Sequence, residues 1–132
     1  MAGGPGAVGS PRAGQSGPIE AHPEGKTVDP KPVNAPVKIT VLRRTVFQEF
    51  DVYKTGKASP CERLKDGQVF VSKGANMPEG FCSWAWADIQ KYVLTLARGG
   101  NLLGSKPGTF VSCCTDGYRP VMFLIERMDE KK

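Results

Sequence analysis

From residue 37 onward, apolar and polar positions fall into short readable patterns. Val37, Ile39 and Val41 alternate with Lys38 and Thr40, and residues 37–47 are rich in β-branched side chains. This predicts a first strand with one face buried. Residues 48–60 turn polar and end in Gly56 and Ser59-Pro60, which predicts a loop holding one helical turn. Lys65-Asp66-Gly67 is a turn signal, and Gln68 to Val71 a short second strand. Gly74 to Gly80, interrupted by Met77-Pro78, predicts another loop.

The clearest periodicity covers residues 84–98. Ala85, Trp86, Ile89, Tyr92, Val93 and Leu96 recur at helical spacing, with Asp88, Lys91, Thr95 and Arg98 on the opposite side. Ser83 is the expected N-cap, and Gly99-Gly100 the expected stop. Asp88 reads most simply as a first-turn acid. After a Gly-Pro loop, Thr109 to Cys114 predicts a strand, and Val121 to Ile125 an apolar strand opening after Pro120. The intervening Asp116-Gly117 predicts a type I′ hairpin turn. The resulting fold class is α+β, a small, mainly antiparallel sheet with one main amphipathic helix.

Composition adds a boundary. Residues 1–36 hold 7 of the 16 Gly and 7 of the 11 Pro, and no aromatic residue or Cys. Such a segment buries too little apolar surface to offset its ordering entropy, so a disordered tail over 1–36 is expected before a single domain over 37–132. The tail is neutral, so the net charge of +5 belongs to the domain. Its basic residues are scattered, not gathered into a stripe with aromatics, which argues against nucleic-acid binding. No apolar run is long enough to span a membrane, and the N-terminus lacks the pattern of a signal peptide. A cytoplasmic, reducing compartment follows, in which four cysteines are expected as thiols or ligands.

The only histidine, His22, lies in the tail, so the domain cannot build a Ser-His-Asp triad, a Cys-His dyad or a histidine metal site. Its chemistry centres on Cys61, Cys82, Cys113 and Cys114. Cys82 precedes the helix, where the dipole and the unpaired amides of the first turn favour thiolate. Cys113 and Cys114 are strand neighbours and are expected to face opposite sides. Cys61, Cys82 and one of Cys113 or Cys114 would supply three soft thiolates for zinc or an iron–sulfur centre, although the paired Cys-x-x-Cys spacing of a zinc ribbon is missing. Arg119 follows the turn closely. If the hairpin end approaches the helix start, Arg119 and the amides of residues 84–86 make a corner for a small anionic ligand.

Two segments carry a resemblance: Met77-Pro-Glu-Gly-Phe-Cys-Ser-Trp-Ala-Trp-Ala-Asp88 and Cys113-Cys-Thr-Asp-Gly-Tyr-Arg-Pro-Val121. With Cys61 ahead of Asp66-Gly-Gln-Val-Phe70 and Gly99-Gly100 after the helix, the chain over about residues 37–127 resembles a family of small, uncharacterised, cysteine-containing bacterial and archaeal proteins. Where that family often has Pro after the helix-capping Cys, this chain has Ser83. The resemblance implies a shared fold and marks Cys61, Cys82, Trp86, Asp88, Cys113, Cys114, Asp116 and Arg119 as a family pattern. It brings no activity with it.

Three functions are therefore expected to compete. The first is a cysteine-centred soft-metal site. The second is a metal-free thiol enzyme or redox protein, with Cys82 as nucleophile and Arg119 orienting an anionic substrate. The third is a binding or scaffold module docking a partner at Trp84 and Trp86.

Overall fold

Alternation in the strands and helical spacing in residues 83–97 bury one face of each element, and these two faces meet. The computed structural model describes residues 33–56 and 58–129. Strands β1 (Val37–Arg44), β2 (Val69–Ser72), β3 (Thr109–Cys113) and β4 (Val121–Arg127) form one sheet in the order β2-β1-β4-β3, antiparallel throughout. Helix α1 (Ser83–Ala97) covers one face, giving the expected small α+β fold. Ala85, Ile89, Val93, Leu96 and Ala97 of α1 are buried with Val37, Ile39 and Val41 of β1 and Val121, Phe123 and Ile125 of β4. Phe81, just before the helix, packs tilted on Phe123 and edge-on to Phe70 and Trp86. Among the described residues no helix is long and apolar enough to cross a membrane.

Both ends of α1 have a physical cause. At the C-terminus, the Gly99 amide bonds the Leu96 carbonyl and the Gly100 amide bonds the Thr95 carbonyl, a Schellman closure. Gly99 sits at φ +91°, a backbone angle that favours glycine. Arg127 of β4 then donates from Nη1 to the carbonyls of Leu96 (3.1 Å) and Gly100 (2.7 Å), placing a cation against the negative end of the helix. At the N-terminus the cap is Cys82, one residue earlier than the expected Ser83, because the Trp86 amide already bonds the Cys82 carbonyl.

Four further sequence expectations change. The first strand ends at Arg44, not at residue 47, after a bulge between Val41 and Arg43; Thr45 and Phe47 then bond Pro120 and Tyr118 outside the ladder. The second strand starts one residue later, at Val69, and carries the buried Ser72, whose hydroxyl donates to the Asn76 carbonyl. Residues 114–120 are a long connection between β3 and β4, not a two-residue turn. Gly117 lacks the positive φ that a type I′ turn needs, and the Asp116 carboxylate binds the chain instead. Finally, the expected disordered tail lies outside the described residues except for 33–36, which composition assigned to it. There Ala35 is buried and donates to the Ala97 carbonyl, while the Pro36 carbonyl accepts from Met128. Backbone pairing orders this stretch despite its Pro content.

Arg127→Met is expected to lower stability by about 2 kcal/mol, the scale of lost charge-assisted hydrogen bonds at a helix end. Urea denaturation at pH 7 checks it.

Candidate functional site

The open side of the fold lies at the start of α1, and what closes around it is the connection 114–120. Asp88, on the second turn of the helix and not on its first, accepts the Thr115 amide at 2.8 Å and the Thr115 hydroxyl at 3.1 and 3.2 Å. The same hydroxyl oxygen accepts the Trp84 indole N–H at 2.9 Å. With its proton directed at the carboxylate and a lone pair at the indole, Thr115 is held from two sides. Further along, Asp116 Oδ1 accepts the amides of Tyr118 (3.0 Å) and Arg119 (2.9 Å), and its Oδ2 lies 3.6 Å from Arg119 Nε. Partial burial pushes the Asp116 carboxyl up, but the two amides and the charges of Arg119 and Lys54 outweigh it and hold the group below the ordinary carboxylate value.

This connection and the helix start enclose a cavity of about 530 Å³. Cys61, Cys82 and Cys114 line it, with Arg63 and Arg119 as its cations and Glu62 and Asp116 as its carboxylates. Leu64, Ala85 and Val121 supply buried apolar wall. The amides of residues 83–85 have no acceptor inside the helix, and no side chain caps it. The Trp86 amide is taken by Cys82, so the anion corner expected over residues 84–86 shifts one residue towards the N-terminus.

The thiols differ in what surrounds them. Cys82 is half-buried, and Arg63 donates towards its sulfur from Nη1 at 3.8 Å. Arg63 makes no ion pair among the described residues. Sequence reasoning missed Arg63, because it stands 19 residues from Cys82 in a segment without periodicity. Cys61 is half-buried, and its carbonyl accepts from Arg44, which also pairs with Asp66 at 3.0 Å. Cys114 is buried, with its sulfur 3.4 Å from the Val121 amide that donates to it. Cys113 is absent from the cavity: it pairs with Met122 on the sheet face away from α1, on the side of exposed Val111. Burial, the neighbouring Cys114 and the Asp88 carboxylate push the Cys113 thiol up.

Among the described residues no three of His, Cys, Asp and Glu come together closely enough to hold a metal ion. The three-thiolate shell expected from Cys61, Cys82 and one of Cys113 or Cys114 is thus not assembled, although three of the four sulfurs border one cavity. The two tryptophans also part company. Trp86 packs edge-on to Phe81, whereas Trp84 is 64% exposed and donates its indole N–H to Thr115. Comparison of the chain with protein-family models, with curated proteins and with solved structures gives no match.

Two outcomes test this geometry. Asp88→Ala leaves Thr115 without its acceptor and is expected to cost about 1–2 kcal/mol in urea denaturation. For Asp116 the folded carboxyl titrates below its unfolded value, so its contribution is full above the ordinary carboxylate range and lost as pH falls through the folded value. Asp116→Ala should therefore be less stable than the parent at pH 7, and the gap should narrow as denaturation is repeated at pH values falling through and below the ordinary carboxylate range.

Proposed function

We propose that this protein is a thiol-based enzyme acting on a small anionic electrophile, with Cys82 as its nucleophile. The observation that carries the reading is the Arg63 guanidinium 3.8 Å from the Cys82 sulfur, at the uncapped start of α1 and on the wall of an open cavity. A cation and a helix N-terminus at one sulfur are the surroundings that activate cysteine nucleophiles. In this reading the Cys82 sulfur gives up its proton to solvent and attacks an electrophilic centre; one bond from sulfur forms as the bond to the leaving group breaks, and the leaving group departs with that electron pair. Arg119 orients the anionic part of the ligand, and the free amides of residues 83–85 receive negative charge on the reacting end.

The remaining thiols support this assignment by their engagements. The Cys114 sulfur already accepts a backbone amide, and Cys113 lies on the other face of the sheet. That leaves Cys61 as the second thiol of the cavity. The soft-metal reading, with zinc or an iron–sulfur centre, ranks second because no ligand group of three is assembled among the described residues.

The test is alkylation by iodoacetamide at pH 7, read at each cysteine by mass spectrometry. Cys82 should react about tenfold faster than Cys113 although Cys113 is the more exposed, and Arg63→Met should remove most of that advantage. Uniformly slow labelling of all four thiols would overturn the reading. So would near-stoichiometric zinc or iron, with protected thiols, in protein purified anaerobically without a metal-affinity tag.

A further inference from the structure

A second cavity, of about 220 Å³, adjoins the first. Lys54, Thr55, Gly56 and Tyr118 line it, and Asp116 and Arg119 line both cavities. Arg119 therefore stands on a wall common to the thiol cavity and its neighbour. Each cavity also has a cation of its own, Arg63 in the first and Lys54 in the second.

Lys54 is held in place by its surroundings. Its ammonium lies 4.7 Å from the centre of the Tyr118 ring, and it makes no ion pair among the described residues. Tyr118 in turn donates its hydroxyl to Asp51 at 2.5 Å, which raises the phenol's titration and fastens the 3-10 helix of Gln48–Tyr53 to the connection. Asp116 offsets part of this positive charge by pairing with Arg119, which leaves Lys54 as the cation of the second cavity without an ion pair among the described residues. Its Oδ1 accepts two backbone amides and its Oδ2 faces Arg119, so the carboxylate holds the loop and Arg119 together. Lys54 and Arg119 both line the cavity as hydrogen-bond donors, with Thr55 as a further polar residue of its wall.

We propose that the ligand of this site is elongated, with a reactive end at Cys82 and an anionic tail, carboxylate or phosphate, that passes Arg119 and is held by Lys54 in the second cavity. This rests on the reading of Cys82 as the reactive thiol. It narrows the substrate class to electrophiles with a negative charge several bonds from the reacting atom. A partly exposed ion pair supports a rate advantage of about fivefold for the charged tail.

The experiment uses N-iodoacetyl amino acids with one to six methylenes between amide and carboxylate, each beside its neutral carboxamide. Cys82 displaces iodide in every case, forming one carbon–sulfur bond, so only the tail varies. The acid-to-amide rate ratio at Cys82 is compared with the ratio for the same protein unfolded in urea, which removes intrinsic differences between probes. The ratio should peak at one spacer length, about fivefold above the unfolded value; Lys54→Met should flatten the peak, Lys54→Glu should invert it and Lys54→Arg should keep it. A flat ratio, or a peak indifferent to Lys54→Met and Lys54→Glu, would overturn the tail inference while Cys82 still reacts preferentially with the neutral amides. If Cys82 reacts with the amides no faster than in the unfolded chain, the thiol reading itself falls, and this inference with it. The neutral series keeps the two failures apart.

Discussion

Asp88 accepting the amide and hydroxyl of Thr115 is the contact on which the rest of the site depends. Helix α1 is seated by its apolar face and would pack on the sheet without it. The connection 114–120 has no continuous apolar face: its two ends are held by the buried Cys114 and Tyr118 and by backbone bonds from Cys114 to Val121 and from Thr45 and Phe47 to Pro120 and Tyr118, and its middle by Asp88. A carboxylate on the second turn of the helix draws the middle of that connection over the helix N-terminus through charge-assisted hydrogen bonds, which are stronger than neutral ones. Asp116 then organises the part beyond it, and Arg119 follows.

The same arrangement separates thiols that composition treats alike. Cys113 ends a strand and stays in the alternation, so it faces away from the helix. Cys114 is the first residue of the connection and turns into the core, where its sulfur accepts the Val121 amide. Cys82 caps the helix without using its side chain, which leaves the sulfur beside Arg63. Distinct roles for the cysteines thus follow from backbone geometry over very few residues.

The cations of the site come from two links: Arg63 and, at the end of the 3-10 helix, Lys54 from between β1 and β2, and Arg119 from the β3–β4 connection. Tyr118 ties the two links together, through its ring to Lys54 and through its hydroxyl to Asp51. That tie adds to the backbone bonds from Thr45 and Phe47 to Pro120 and Tyr118, and together they hold a segment whose Phe47, Phe50, Val52 and Tyr53 side chains are exposed. The excursion between β1 and β2 is therefore an arm of the site as much as a loop.

Local pattern made most of the fold readable. Alternation over residues 37–41 and helical spacing from Ala85 to Leu96 mark the buried faces, and Gly99-Gly100 marks the helix stop because only glycine readily takes the backbone angle there. These are properties of neighbours in the chain, and the chemistry of nearby residues suffices for them. It also sufficed to single out Cys82 and Arg119. What the chain did not disclose depends on partners far apart in it. Asp88 reads as a helix-start acid until Thr115, 27 residues away, is brought to it. Asp116-Gly117 reads as a tight turn until its carboxylate is seen binding amides two and three residues on. Arg63 carries no signal at all before its 3.8 Å approach to Cys82. Amino-acid sequence alone determined the elements, their buried faces and the thiol at the helix start. Tertiary structure alone decided which sulfurs share a cavity and which cations face them, because those placements rest on long-range hydrogen bonds that no local periodicity encodes.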